Sequence, residues 1–333
     1  MKSLIQKLVE IPGPSGYESQ IRAAIRAEIE DLADEVRVDA LGNLIAVKGQ
    51  VSSGGQRLML SAHMDEIGLI ATHIDANGFV RFTTIGGVRR TTCVGSRVRF
   101  FNGPSGVIGQ EDPNEKNKLP TFEQMFIDVG ASSRIDCPVH VGDLAVFDRP
   151  FADYGNRLVS KALDDRIGVA VLIETLRQFK KSPNQVFFVF SVQEEVGLRG
   201  ATTAAFGLDP DLGIAVDVTA SGDTPKGLKM AVSLGKGAAI KVRDGGMLAD
   251  PRVVDWMVRT AQSAQNLYQL EVLENGTTDA RAIQLARSGV PTGCISIPCR
   301  YIHAPSEMVD YADVLSAVNL LKALVGLPVE LES

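Results

Sequence analysis

A sequence of 333 residues allows one large domain or two moderate ones. Its hydrophobic fraction of 45% and charged fraction of 22% are those of an ordinary soluble globular chain. A net charge of −6 gives no electrostatic reason to expect nucleic acid or an anionic membrane as a partner, and no apolar run approaches the ~20 residues of a bilayer-spanning helix.

The chain starts Met1-Lys2-Ser3-Leu4 without a signal-like apolar stretch, so the expected location is cytoplasmic. Cys93, Cys137, Cys294 and Cys299 include no C-x-x-C pair. They read as free thiols, not as a disulfide framework or a zinc–thiolate site.

A short amphipathic helix carrying Leu4, Ile5 and Leu8 opens the chain and ends before Pro12-Gly13-Pro14-Ser15-Gly16. A second helix is predicted over about 18–32, with Ile21, Ile25 and Ile29 on one face. Strand-like runs follow at 43–47 and 57–62. From Ile67 to about Leu158 the texture turns rich in Val, Thr, Phe and Gly, with turns at Ala76-Asn77-Gly78, Gly86-Gly87, Asn102-Gly103-Pro104 and Val141-Gly142-Asp143. Short alternating strands between such turns predict a small β-barrel or sandwich. The polar stretch 112–120 is expected to be an exposed, mobile loop.

At Lys161 the helical period returns, with Val169, Leu172, Ile173 and Leu176 on a buried stripe. Strands and helices then alternate: strand 185–192, helix near 198–206, strand 212–217, helix 251–264, strand 268–273, helix 279–287, strand 291–297 and helix 310–325. That alternation predicts an α/β fold with a doubly wound, mainly parallel sheet. Residues 1–66 and 159–333 would form this α/β domain, and 67–158 a β-rich domain inserted into it.

Five polar stations punctuate the chain: His63-Met64-Asp65, Asp164-Asp165, Glu194-Glu195, Asp217 and His303. All but the second lie just past an apolar strand-like run, and open α/β sheets bind ligands beyond the carboxyl ends of their strands. In His63-x-Asp65 the carboxylate is a candidate acceptor for the second ring N–H of a metal-bound imidazole. Asp164 and Asp165 open a helix, so both could cap it, or one could cap while the other faces a metal. Adjacent carboxylates such as Glu194 and Glu195 repel unless solvent, a proton or a cation separates them. One of them could hold a metal while its neighbour serves as general base. Asp217, flanked by Val216 and Val218, needs a partner because burying a lone charge is costly. Of the four histidines, His63 and His303 lie at sheet termini, whereas His73 and His140 fall in the β insert. Two imidazoles with three or four carboxylates and no thiolate suit zinc, cobalt or manganese in a metallohydrolase.

The ordered motifs carry a resemblance. The stretches are Ser61-Ala62-His63-Met64-Asp65-Glu66-Ile67-Gly68, Lys161-Ala162-Leu163-Asp164-Asp165-Arg166, Gln193-Glu194-Glu195-Val196-Gly197-Leu198-Arg199-Gly200, Ala215-Val216-Asp217-Val218-Thr219 and Tyr301-Ile302-His303-Ala304-Pro305-Ser306-Glu307. In these, and along essentially its whole length, the chain resembles the tetrahedral (TET-type) dinuclear metallo-aminopeptidases, the glutamyl and deblocking aminopeptidases also labelled cellulase M. The resemblance implies two divalent ions per subunit, zinc first and cobalt or manganese as alternatives. Asp164 would bridge them through a chain whose peptide to Asp165 is cis. His63 and Asp217 would complete one site, Glu195 and His303 the other. Glu194 would be the general base toward a water between the ions, and Asp65 would orient His63. The resemblance also implies peptide substrates and a homo-oligomer, a tetrahedral dodecamer with a dimer as possible precursor, built partly through the inserted domain. The loop Asn275-Gly276-Thr277-Thr278-Asp279 is expected near the substrate.

Three other readings compete. A deacylase, other amidohydrolase or carboxypeptidase on the same scaffold would share the metal constellation. A glycosidase would need carboxyls about 5–9.5 Å apart flanking a sugar linkage, which neighbours such as Glu194 and Glu195 do not provide, and would leave the histidines without a role. A metal-stabilised binding protein would keep the fold without turnover.

Overall fold

The computed structural model describes residues 1–111 and 119–331. Apart from its last two residues, the loop expected at 112–120 lies outside them. Helices α1 (Lys2–Glu10) and α2 (Ser19–Ile29) precede strands β1 (Glu35–Val38), β2 (Leu44–Lys48) and β3 (Arg57–His63). Six strands follow: β4 (Gly68–Ile74), β5 (Val80–Ile85), β6 (Arg97–Phe100), β7 (Ser105–Gln110), β8 (Met125–Asp128) and β9 (Leu144–Phe147). The order then runs β10 (Ala152–Asp153), β11 (Arg157–Ser160), α3 (Leu163–Arg177), β12 (Gln185–Ser191), α4 (Arg199–Leu208), β13 (Leu212–Thr219) and β14 (Ala238–Arg243). Helix α5 (Pro251–Ser263), β15 (Tyr268–Val272), α6 (Asp279–Gln284), β16 (Thr292–Arg300), β17 (Glu307–Asp310) and α7 (Tyr311–Gly326) complete it.

The fold is mixed α/β, with an eleven-stranded sheet whose main path is β1-β2-β12-β3-β13-β16-β17-β11-β10. Its centre, β12-β3-β13-β16, is parallel, and the strands flanking that unit are antiparallel to it. Parallel strands are buried on both faces, which is why these four read as nearly unbroken apolar runs. The alternation of side chains still sorts them. Leu58, Leu60, Val186, Phe188, Phe190, Ile214, Val216, Ile295 and Ile297 join the core under α1, α2, α3, α5 and α7. Met59, Phe187 and Val189 pack on the opposite face against Ala204 and Ala205 of α4 and Ile283 of α6.

Strands β4 to β9 close into a six-stranded barrel in the order β4-β5-β8-β7-β6-β9, so the barrel alternative of the sequence reading is the one found. Its interior holds Leu69, Val80, Phe82, Val98, Ile108, Ile127 and Phe147. Strands β10 and β11 already belong to the large sheet, where β11 pairs with β17. The sequence boundary at 158/159 therefore falls inside β11.

Other differences are local. The helix expected over 18–32 ends at Ile29, and that over 279–287 ends at Gln284. Strand β14 is not evident in the sequence, because its period is interrupted by a buried cation: Lys241 is 1% exposed and reaches Glu271 of β15 at 2.7 Å. Among the described residues no helix is long and apolar enough to cross a membrane.

A candidate dinuclear metal centre

The register of the parallel strands aligns the stations. Ser191, the last residue of β12, lies opposite His63, the last residue of β3. Two residues beyond Ser191 the chain enters the left-handed region at Gln193 (φ 55°) and turns Glu194 and Glu195 back over the strand ends. Asp217 stands on neighbouring β13, opposite Ser296 of β16. His303 lies in the β16–β17 connection, where Tyr301 and His303 both have φ of 63°. Left-handed non-glycine residues at one locus are strained backbone, held in place by their surroundings.

The two aspartates at the start of α3 have separate tasks. The Asp164–Asp165 peptide is cis, and regular helical geometry begins only after Asp165. Asp165 accepts the Gly168 N–H through Oδ1 (3.1 Å) and the His63 N–H through Oδ2 (3.2 Å), tying the helix start to β3. A Cβ at Gly168 would lie 2.4 Å from that Oδ1, so the cap requires glycine there. Asp164 faces the opposite way. Its Oδ1 is 3.0 Å from His63 Nε2 and its Oδ2 3.3 Å from His303 Nε2.

Two trios result, each with potential ligand atoms within 4.8 Å of one another: an inner one of His63, Asp164 and Asp217, and an outer one of Asp164, Glu195 and His303. Asp164 belongs to both. In the outer trio Glu195 Oε2 is 3.1 Å from His303 Nε2, while Glu195 Oε1 is buried without a hydrogen-bond partner. His63 Nδ1 lies 3.2 Å from the Asp65 carbonyl oxygen, which can only accept, so Nδ1 carries the proton and Nε2 is turned toward Asp164. The Asp65 carboxylate accepts the Ser15 hydroxyl (2.6 Å) and the N–H groups of Glu194 (3.1 Å) and Glu195 (3.2 Å). Its Oδ1 also stands 3.5 Å from His63 Nδ1. Asp65 therefore contacts both one imidazole and the turn bearing both glutamates.

The electrostatics ask for cations. Burial, then repulsion from Asp217, Glu195 and Asp279, pushes the Glu194 carboxyl well above the usual range, despite the opposing pull of His63. Burial and Asp164 do the same to Asp217 against the same imidazole. Burial disfavours charged His303, yet Asp164 and Glu195 hold it protonated up to about 11. A buried group of carboxylates whose nearest positive partners are two imidazoles is short of positive charge. Divalent ions would supply it, displacing the imidazole protons, and a nitrogen–oxygen donor set with an unpartnered buried oxygen fits such ions.

Comparison with known proteins settles the family. Residues 42–320 match the model of the M42 glutamyl aminopeptidases. The chain belongs to the M42 family. A lysyl aminopeptidase of Pyrococcus furiosus is 37% identical over 97% of this chain and 96% of its own. An aminopeptidase structure from the archaeon Desulfurococcus kamchatkensis superposes with a TM-score of 0.93 at 42% identity, covering 97% of this chain and 94% of that one. The TET1 peptidase of Pyrococcus horikoshii, described as assembling into a tetrahedron or a large octahedral shell, gives 0.87 at 33% identity over 97% and 98% of the two chains. This M42 chain is thus an aminopeptidase, a hydrolase of peptide bonds, and its family implies divalent metal ions.

The M42 centre opens into a cavity of about 1100 Å³ lined by Glu194 and by all five residues of the two trios. Asn275, Gly276, Thr277 and Thr278 line it too. Asp279, from the same predicted loop, instead lies beneath it and accepts the hydroxyls of Ser61 (2.6 Å) and Ser191 (2.5 Å). The barrel also reaches the centre: a Cβ at Gly87 would meet His303 Nδ1 at 2.6 Å. Sequence reasoning gave no role to Ser15, Gly87 or Glu307. Ser15 and Gly87 stood in stretches read only as a helix stop and a turn, and Glu307 closed the motif that begins at Tyr301. Glu307 is 2% exposed, and burial together with Asp164 pushes its carboxyl up to about 8.

Proposed function

We propose that this M42 aminopeptidase removes N-terminal residues from peptides with two divalent ions, one held by His63, Asp164 and Asp217 and the other by Asp164, Glu195 and His303. The observation that carries the reading is the division of Asp164, one oxygen toward each imidazole, with a carboxylate completing each trio. When bound, the ions polarise the scissile carbonyl and lower the pKa of the attacking water.

The remaining chemistry belongs to the chain. Glu194 is the general base: its carboxylate lines the cavity, its Oε2 stands 3.9 Å from His63 Nε2, and it belongs to neither trio. It accepts a proton from the attacking water and returns it to the leaving amine. Its place beside both trios without belonging to either leaves its carboxylate free to exchange a proton with a group in the cavity. Asp65 keeps His63 in its Nδ1–H form and fixes the backbone from which Glu194 projects.

Zinc is the first choice of ion, with cobalt and manganese as alternatives for the same donors. The α/β part, including β10 and β11, acts as the catalytic domain and the barrel of β4 to β9 as the oligomerisation domain of a cytoplasmic particle, a dodecamer by analogy with the assemblies named for the Pyrococcus horikoshii relatives.

Metal-depleted protein reconstituted separately with zinc, cobalt and manganese, and offered aminoacyl-anilides and their N-acetylated analogues, tests the reading. Only substrates with a free amine should be cleaved, and equal cleavage of the blocked set would favour a deacylase. Glu194→Gln should keep the ion content and lose about 10²–10⁴ in kcat. Retained turnover would remove Glu194 as the base. Size-exclusion chromatography showing only monomers would overturn the assembly.

A further inference from the structure

We propose that Glu307 is a positioning residue for the outer half of the metal centre, holding the backbones of Asp164 and His303 at the separation that an ion between Asp164, Glu195 and His303 requires. The inference rests on the two-ion reading and gives a role to a residue outside both trios.

Glu307 Oε2 accepts the Asp164 N–H at 2.9 Å, and Oε1 accepts the His303 N–H at 2.8 Å. One carboxylate thus joins a residue of the β11–α3 junction to one of the β16–β17 connection, 139 positions later in the chain by the numbering, 303 minus 164. The base of the clamp is fixed. Glu307 begins β17, opposite Ser160 of β11, and the following Met308 is opposite Arg300 of β16. The backbone at and beside its two bonds is strained: His303 and nearby Tyr301 (both φ 63°), and Ala162 (φ 56°) two residues before Asp164, are left-handed without being glycine. Such backbone persists where neighbouring contacts over-determine it. The loop bond from the Ala304 N–H to the Tyr301 carbonyl (3.1 Å) spans His303 without engaging its N–H. That N–H is engaged by Glu307. The inner half is held otherwise, with His63 fastened through Asp65 and Asp165.

The chemistry of the clamp makes it testable. Glutamine preserves size but replaces one acceptor by an NH₂ donor, so one of the two backbone N–H groups would face another donor. Outer-shell partners of metal ligands typically contribute 10–100-fold in affinity. Cobalt is titrated into metal-depleted wild-type protein and Glu307→Gln, following the visible spectrum and the heat of binding. Two ions are expected per wild-type chain. In the variant one of the two ions should lose about 10–100-fold in affinity and the other should change little. Asp313→Asn is the control for a purely structural effect, since Asp313 makes the same double clamp on Gly235 N–H (2.6 Å) and Gly237 N–H (2.7 Å) without lining the cavity. It should leave both affinities as in wild type.

Unchanged binding in Glu307→Gln, equal weakening of both ions, or equal weakening by Asp313→Asn would overturn the proposal while leaving the two-ion reading intact. A wild-type chain that takes up fewer than two ions would remove that reading and the proposal with it. Should Glu307→Gln not fold, Glu307→Asp, which keeps both acceptors but withdraws them by one methylene, is read by the same criteria.

Discussion

The inner and outer halves of the centre share Asp164 but are built differently. The inner imidazole and carboxylate, His63 and Asp217, stand on adjacent parallel strands, and their side chains are 2% and 8% exposed. The outer imidazole, His303, stands on a left-handed loop, 28% exposed, with the barrel loop at Gly87 against its ring. One half takes its strand positions from the hydrogen-bond ladder of the sheet, with Asp165 accepting the His63 N–H besides. The other obtains it from turns, a glycine clearance and buried carboxylates that grip backbone N–H groups. Fixed strands define positions to within the register of a sheet, whereas a loop needs a dedicated restraint for each ligand it presents.

The most damaging change should be Asp164→Ala, which removes the residue common to both halves. Neither ion should then be retained after gel filtration, and turnover should fall by at least the 10²–10⁴ or so of a lost general base. Retention of one ion would mean that the halves do not depend on a shared carboxylate.

Gly87→Ala separates the halves. Its new methyl would force the His303 ring to move, so affinity for one ion should weaken by on the order of tenfold while the other stays bound. A titration that moves both constants together would show the halves to be mechanically one unit.

The smallest expected effect concerns the support of the outer loop. Arg300, at the end of β16, bonds Asp223 at 2.9 and 2.8 Å, and this holds the Asp223 carboxyl down to about 2. A depressed folded-state pKa adds stability above the unfolded value of about 3.9 and loses it as pH falls through about 2. Because the pair is partly exposed and screened, its contribution is below about 1 kcal/mol. Asp223→Asn should lower Tm slightly at pH 7, and the gap should narrow as pH falls from about 5 toward 2. A gap independent of pH would show that the ion pair does not stabilise the loop.

Legibility followed the same division. The apolar runs before His63, Glu194 and Asp217 marked strands whose ends converge, and the change of texture after Ile67 marked a separate β unit. Strand β14 was hidden because Lys241 reads as a surface cation until its partner Glu271 is seen across the sheet. Strand β17 was hidden because its four residues, Glu307–Asp310, begin and end with acids that are buried. Ser15 and Glu307 stood in quoted stretches, but their roles did not show there, since Ser15 bonds Asp65 50 positions away and Glu307 bonds Asp164 143 positions away.

Sequence by itself determined which residues could bind an ion or move a proton, because donor chemistry belongs to residue type, and which strands would deliver them, because burial imposes a pattern on neighbouring residues. Tertiary structure alone decided how they are held. Asp165 bonds the His63 and Gly168 N–H groups, the barrel touches His303, and the Glu307 carboxylate secures the Asp164 and His303 backbones. Those outcomes depend on distances between segments remote in the chain, which no local pattern of side chains encodes.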